Sequence, residues 1–296
     1  MSEPAGIVLL PLSNTVRVAA ALDAADRHDI CIADSYADSA ETWTPEPWGW
    51  STVIDGRRVW NIDHHAAASR FYQAVSSGNL AIDYVHKHDV LDPAMTVVLN
   101  HTDCDSVITA AILRGLLPPD AVFADAVLAA DHTGATNPIA DLLQALDPLR
   151  DFDYSLRNLR QLLGGQAIDA NAAELLQKRL DDRRRVWQMV ESGRFTNVGR
   201  VAVARLAHDE KVPSEFLPQA LPAAWVVVVG SRQQDGLWES KVRLGASAPA
   251  GMTLFSLGVT EIEPRFGGRW NAGSTRRSGG SPQDPLDLAR GIADRI

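Results

Sequence analysis

The sequence has few cysteines and no long apolar run. Its two cysteines, Cys31 and Cys104, lack the spacing of a zinc knuckle or a disulfide framework. No apolar stretch approaches the ~20 residues that cross a bilayer. The first residues, MSEPAG, lack the basic start of a signal peptide. We therefore expect a protein of the reducing cytoplasm that has no membrane contact.

A lysine-rich tract is also absent, and the formal net charge is −9. Proteins that bind long duplex nucleic acid usually present a basic face, so this balance argues against such a partner. Short oligonucleotides and nucleotides stay open as ligands. A site that gathers carboxylates around cations would itself make the net charge more negative.

Strands and helices alternate in the first half of the chain. Apolar runs predict strands at 29–33, 59–62 and 95–99, and the segment 106–117 has helical periodicity. This alternation predicts an α/β fold, with a largely parallel sheet flanked by helices and ligands at the carboxyl ends of its strands. The Trp- and Pro-containing stretch 35–51 is predicted to be a loop, and residues 67–76 a helix.

The composition changes along the 296 residues, a length that suits two domains. Residues 1–150 are predicted to form the first α/β domain, residues 151–195 a helical linker, and residues 196–296 a smaller α/β domain. The charge run 178–185 contains both signs, which favours a solvated helix face over a nucleic-acid contact.

The string NHTDCDS places His101, Asp103 and Asp105 two residues apart, directly after a predicted strand. Alternate side chains of an extended segment point to one side, so all three can converge. Carboxylate and imidazole ligands suit a divalent cation such as Mn²⁺ or Mg²⁺. The alternative is a turn in which Asp105 caps the following helix. Capping would explain Asp105 but not His101 or Asp103.

The string NIDHH ends another predicted strand with Asp63, His64 and His65. A neutral imidazole can bind a metal, and a protonated one can meet a phosphate oxygen. The alternative is a pair of ordinary surface histidines.

Two weaker signals are single acidic residues. Asp131 lies in ADHTGA, where Thr133 can orient it, and the alternative is an Asx turn before a glycine. Asp34 ends the apolar run ICIA. A lone acid after a strand indicates little by itself.

Together these strings resemble the DHH phosphoesterase superfamily, which includes single-strand exonucleases, nanoRNases, cyclic-dinucleotide phosphodiesterases and family II pyrophosphatases. The segment VVLNHTDCDSVITAAIL resembles the first motif, ICIAD the second, NIDHH the third and DHTG the fourth. Near the C-terminus, KVRLGAS and FGGRWNAGS resemble the DHH-associated domain.

This chain departs from the family in three ways. The motifs occur in the order second, third, first, fourth, which predicts a permuted sheet. Ser106 stands where a glycine is common, and Arg269 and Trp270 stand where the Gly-rich loop usually has a histidine.

The resemblance implies a site with two divalent cations, with Mn²⁺ as the expected ion and Mg²⁺ as the alternative. Asp34 would bridge the two ions, His65 would face the substrate phosphate, and Asp63 would orient the histidines. The other implied ligands are His101 and Asp103 for one ion, and Asp105, His64 and Asp131 for the other. The implied substrate-binding residues of the C-terminal domain are Arg243, which also has a catalytic role, Gly267, Gly268, Arg269 and Asn271.

The resemblance thus makes 1–150 a catalytic, metal-binding domain and 196–296 a substrate-binding domain. The expected activity is metal-dependent hydrolysis of a phosphodiester or phosphomonoester in a short single-stranded oligonucleotide or a nucleotide. Two alternatives stay open: an inorganic pyrophosphatase-like hydrolase, which the FGGRWNAG string disfavours, and a non-catalytic nucleotide-binding regulator of the same fold. A homodimer is equally open.

Overall fold

The computed structural model describes residues 6–65, 71–208 and 210–296. It has two six-stranded sheets flanked by helices, which confirms the predicted α/β class. The chain divides into two compact units. The first unit comprises Met1–Asp131 and Thr136–Arg179, and the second comprises His132–Ala135 and Leu180–Ile296.

The sheet of the first unit has the strand order β1-β6-β2-β5-β4-β3. Its strands are β1 (Ile7–Leu9), β2 (Ile30–Ala33), β3 (Thr44–Glu46), β4 (Gly49–Ile54), β5 (Arg57–Ile62) and β6 (Thr96–Leu99). The pairs β1–β6, β6–β2 and β2–β5 are parallel. Every residue of β2 and of β6 is buried, as expected for parallel strands covered on both faces. The centre of this sheet is therefore buried, and the carboxyl ends of β6, β2 and β5 lie side by side.

The prediction of a loop over 35–51 is wrong from Thr44 onward, whereas 35–43 contributes no strand to the sheet. Strands β3 and β4 form an antiparallel hairpin that adds to the sheet beside β5. Pro45 lies in β3, the outermost strand, where a missing N–H does not interrupt an inner ladder. The prolines that favoured a loop are thus compatible with an edge hairpin.

Seven helices are described in or beginning in the first unit. They are α1 (Val18–Ala24), α2 (Ser77–His88), α3 (Cys104–Leu113), α4 (Ala121–Leu128), α5 (Pro138–Leu146), α6 (Phe152–Leu163) and α7 (Ala170–Glu191). The predicted helix over 67–76 partly lies outside the described residues; of its described part, residues 72–76 are not helical, and α2 begins at Ser77. There the Ser76 N–H donates to Asn79 Oδ1 at 3.0 Å, which satisfies a backbone donor at the helix start.

The second unit contains a sheet with the order β11-β12-β10-β9-β8-β7. Its elements are β7 (Thr196–Val198), β8 (Val201–Leu206), α8 (Leu217–Ala220), β9 (Val226–Arg232), β10 (Trp238–Leu244), α9 (Val259–Ile262), β11 (Gly267–Gly268), β12 (Ala272–Ser274) and α10 (Pro285–Ala293). Only β8 and β9 pair in parallel, and the remaining pairs are antiparallel. Consecutive residues of β9 belong to two different hydrophobic cores. Val228 packs in the core that contains Leu288, and Val229 packs in the core that contains Phe216.

The observed division of the chain falls within α7, after Arg179. The functional assignment of 1–150, 151–195 and 196–296 stays a prediction. Among the described residues, no helix combines the length and the apolarity that crossing a membrane requires.

Candidate metal centre

Three neighbouring strand ends bring the predicted ligands of the first unit together. Strand β2 lies between β6 and β5, so Asp34 at its end lies between His101 after β6 and His64 after β5. Asp34 Oδ2 is 3.2 Å from His101 Nε2, and Asp34 Oδ1 is 3.8 Å from His64 Nε2. The order of the strings along the chain therefore does not prevent their convergence, because the sheet places β6 beside β2.

Asp34 has an unusual backbone and an incompletely satisfied side chain. Its φ is +49°, in the left-handed region that aspartate tolerates better than most residues. Its N–H donates to Ile62 O at 3.0 Å, which holds the turn against β5. The side chain is 1% exposed, yet Oδ1 has no hydrogen-bond partner among the described residues. An orphaned buried carboxylate oxygen needs a physical explanation, and a bound cation supplies one.

On one side of Asp34 lie His101 and Asp103, with His101 Nε2 3.6 Å from Asp103 Oδ1. The other ring nitrogen of His101, Nδ1, is 2.6 Å from Asn100 Oδ1. Asn100 Oδ1 also accepts from Ser35 Oγ at 2.7 Å, and Asn100 Nδ2 donates to Ser13 O at 2.8 Å. These contacts fix the amide orientation, so Nδ1 of His101 donates and Nε2 faces the carboxylates as a ligand atom.

On the other side of Asp34 lie His64, Asp131 and Asp105. His64 Nε2 is 2.9 Å from Asp131 Oδ2 and 3.5 Å from Asp105 Oδ2. Asp131 lies in a π-helical segment, Ala129–Thr133, and such bulges are frequent at functional sites. Asp105 also accepts the backbone N–H groups of Ser77 at 2.8 Å and Gly78 at 2.7 Å, so it holds the start of α2.

The alternative interpretation of Asp105 as the cap of the following helix is wrong. Asp103 is the N-cap of α3, and its Oδ1 accepts from the Ser106 N–H at 3.0 Å. Asp105 lies inside the first turn of α3, and its carboxylate contacts a different helix, α2. Both acids thus combine a structural contact with a position in the cluster.

His65 and Asp63 form a separate pair beside this cluster. His65 Nδ1 lies 2.7 Å from Asp63 Oδ1, and the His65 N–H donates to Asp63 Oδ2 at 2.9 Å. His65 Nδ1 is also 3.7 Å from Asp34 Oδ1. The Asp63 side chain is fully buried, whereas that of His65 is 30% exposed. The more accessible imidazole is therefore held by a buried carboxylate.

The crowding of buried charges shifts several pKa values. Burial is the main cause that raises the pKa of Asp103 to about 7. Burial, reinforced by the charge of Asp34, raises the pKa of Asp105 well above its ordinary value. Burial opposes protonation of His101, but the Asp103 charge and the hydrogen bond to Asp34 outweigh it and raise the His101 pKa to about 10. For Asp34 the hydrogen bond and charge of His101 outweigh burial, and its pKa is lowered.

This donor set fits divalent cations. One group consists of Asp34, His101 and Asp103, and another of Asp34, His64 and His65; within each, the potential ligand atoms lie within 4.8 Å of one another. Oxygen and imidazole donors suit Mn²⁺, and oxygen donors suit Mg²⁺. Carboxylates buried this closely repel one another unless protons or cations compensate their charge.

The predicted substrate-binding residues lie in the second unit. Arg243 of β10 pairs with Ala272 of β12, and the Leu244 N–H donates to Asn271 O at 2.8 Å. The Gly-rich string forms the β11–β12 hairpin, in which Gly268 pairs with Gly273. A Cβ on Gly268 would lie 2.3 Å from Gly273 Cα, so glycine is required for this close approach. The strand that carries Arg243 and the Gly-rich hairpin are therefore neighbours.

Sequence reasoning missed several residues that support these positions. Asn100 and Ser35 orient His101, and the only signal for Asn100 is that it precedes the histidine. In the second unit, the His132 ring stacks on Trp270 with centroids 5.9 Å apart, and its Nδ1 is 2.9 Å from Asn271 Nδ2. Nothing in the local sequence indicates this pairing, because the residues are far apart in the chain.

Comparisons with known proteins give a limited result. No protein-family model matches the chain, and no curated protein matches it. A pGpG-specific phosphodiesterase, PggH from Vibrio cholerae, is similar with a TM-score of 0.45 and 11% identity, over 72% of each chain. An uncharacterized protein from Helicobacter pylori G27 has a TM-score of 0.24 and 9% identity, over 90% of this chain and 99% of the other. Both TM-scores are below 0.5, which is too low to indicate a shared fold.

Proposed function

We propose that this chain is a metal-dependent phosphoesterase of the DHH type that hydrolyses a phosphodiester or phosphomonoester. The observation that carries the proposal is the position of Asp34 between two groups of donors. Its Oδ2 faces His101 at 3.2 Å, and its Oδ1, which has no hydrogen-bond partner within the described part of the chain, faces His64 at 3.8 Å. A carboxylate with one oxygen toward each group suits a bridge between two ions.

In this proposal His101 and Asp103 hold one cation, and His64, Asp105 and Asp131 hold the other. Two bound divalent cations would supply Lewis acidity and would lower the pKa of water near the phosphorus. The chain itself supplies orientation, because the hydrogen bonds of Asn100 to His101 and of the α2 backbone to Asp105 fix the ligands before substrate arrives. We expect Mn²⁺ as the ion, with Mg²⁺ as the alternative.

His65 is the residue proposed to face the substrate phosphate. The carboxylate of Asp63, 2.7 Å from Nδ1, stabilises a proton on that nitrogen and fixes the ring orientation. When the ring is protonated on both nitrogens, the opposite nitrogen, Nε2, would donate to a phosphoryl oxygen. Donors aimed at an oxygen that gains negative charge lower the barrier of phosphoryl transfer.

The proposed substrate is a short single-stranded oligonucleotide or a nucleotide, bound with the help of the second unit. Arg243, Arg269 and Asn271, with the backbone of Gly267 and Gly268, would hold its phosphate or its nucleoside end. The net charge of −9 and the lack of a basic tract disfavour long duplexes. The tight β11–β12 hairpin is the feature that favours a nucleotide over inorganic pyrophosphate.

The test is release of mononucleotide from a short single-stranded RNA or DNA oligomer with Mn²⁺. We expect activity in the native chain and a loss of at least about 100-fold in Asp103→Ala, since a metal ligand is removed. Asp181→Ala is the matched control, because Asp181 lies on α7 with a half-exposed side chain that pairs with Arg184. If the native chain with Mn²⁺ or Mg²⁺ hydrolyses no such oligomer, nucleotide or simple phosphodiester, the proposal fails.

A further inference from the structure

Ser106 contacts two of the proposed ligands at once. Its hydroxyl donates to Asp34 Oδ2 at 2.7 Å, and its backbone N–H donates to Asp103 Oδ1 at 3.0 Å. Ser106 lies in the first turn of α3, and its side chain is completely buried. The hydroxyl is therefore shielded from solvent and hydrogen-bonded to Asp34.

The Ser106 hydroxyl fixes the orientation of the Asp34 carboxylate. The terminal torsion of an aspartate has a broad energy minimum, so the backbone alone does not fix the orientation of its two oxygens. The Ser106 hydroxyl and His101 Nε2 both approach Oδ2, at 2.7 and 3.2 Å. Oδ1 is consequently turned to the opposite side, where His64 Nε2 and His65 Nδ1 lie 3.8 and 3.7 Å away.

We propose that Ser106 is a positioning residue that holds Asp34 as the bridge between the two donor groups. This inference rests on the proposed two-ion function and adds a residue that acts through Asp34. Partners that orient ligands in this way typically change metal affinity or activity by about 10–100-fold when they are removed.

Ser106→Ala isolates the hydroxyl, because alanine keeps the α3 backbone and the N–H bond to Asp103. The matched control is Ser155→Ala, which removes a buried hydroxyl of α6 that has no hydrogen-bond partner among the described residues. Titration calorimetry with MnCl₂ measures ion affinity and stoichiometry. We expect about 10–100-fold weaker binding of at least one ion in Ser106→Ala, and native binding in Ser155→Ala.

A double-mutant cycle tests whether Ser106 acts through Asp34. In an Asp34→Ala background, the further change Ser106→Ala should alter Mn²⁺ affinity by less than about two-fold, because the partner carboxylate is already gone. Circular dichroism of each metal-free variant checks that the fold is kept. A Ser106→Ala protein with native Mn²⁺ affinity and stoichiometry would overturn the inference, as would an equal loss in both backgrounds.

The same titration separates this inference from the proposed function. If the native chain binds Mn²⁺ and Ser106→Ala binds it weakly, but neither hydrolyses a phosphoester, the positioning role stands and the proposed function fails. If the native chain hydrolyses its substrate and Ser106→Ala binds and reacts like it, only the positioning role fails. A native chain that binds no Mn²⁺ would overturn both.

Discussion

Asn100 Oδ1 lies 2.6 Å from His101 Nδ1, although the two residues are consecutive in the chain. Consecutive side chains at a strand end usually diverge, yet here the amide turns back because Ser13 O and Ser35 Oγ hold it from two other segments. The ring orientation of His101 and the proton on its Nδ1 are therefore fixed before any ion arrives. The following prediction tests this relationship.

Asn100→Ala should weaken Mn²⁺ binding by about 10–100-fold, because His101 loses the partner that fixes its tautomer and ring orientation. Calorimetric titration with MnCl₂ measures the effect. Asn158→Ala is the matched control, since Asn158 is also a buried asparagine of the first unit, bonded to Tyr154 O and the Asp169 N–H. Equal affinities in the two variants would contradict the prediction.

The metal-free protein should lose stability as the pH rises from 5 to 9. The folded chain binds more protons than the unfolded chain wherever a folded pKa is raised, so stability falls across that window. For Asp103 the window runs from the ordinary 3.8 to about 7, and for His101 from 6.5 to about 10. The pKa of Asp34 is lowered, so its carboxylate stabilises the fold at every pH above the ordinary value of 3.8. It therefore does not change how the free energy of unfolding varies between pH 5 and 9.

Urea unfolding in the presence of a chelator at pH 5, 7 and 9, followed by circular dichroism, measures this slope. Asp103→Asn should flatten it between pH 5 and 7, because the titrating carboxyl is replaced by an amide. A free energy of unfolding that stays constant or rises with pH would show that Asp103 and His101 do not bind protons in the folded chain over this range.

Removal of divalent cations should abolish hydrolysis and lower stability at pH 8. Cations that bind only the folded chain stabilise it by about 2.7 kcal/mol per site at 100 times the dissociation constant. Scanning calorimetry with EDTA and then with excess MnCl₂ gives the shift, and activity is measured on the same samples. Full activity after exhaustive chelation would argue against a metal-dependent reaction.

Gly268→Ala should disrupt the β11–β12 hairpin, whereas Gly267→Ala should not. The added Cβ at Gly268 would meet Gly273 Cα at 2.3 Å, but the one at Gly267 would meet nothing within 4 Å. Overpacking of this kind costs about 1–3 kcal/mol. Amide hydrogen exchange of residues 266–274 measures the local opening, and we expect a higher KM for an oligonucleotide in Gly268→Ala alone. Equal exchange in both variants would contradict the expected clash.

The α/β class follows from local patterns, and the structure confirms it. Strands β2 and β6 are short apolar runs of the kind that a sheet covered on both faces requires, so ICIA and TVVL predict them. The edge hairpin was not predictable in this way. Strand β3 has mostly exposed residues and a proline, and its pairing with β4 depends on β5 being present as a template.

The sequence alone marks the candidate site residues: acids and histidines that follow buried strands. Only the tertiary structure decides that Asp34, His64 and His101 meet, because the order β6-β2-β5 results from long-range pairing that no local pattern encodes. The same holds for the contacts of Ser106 and Asn100, which the local sequence does not predict. These two residues become partners of Asp34 and His101 because α3 and β6 lie beside β2 and the buried polar groups there hydrogen-bond to one another.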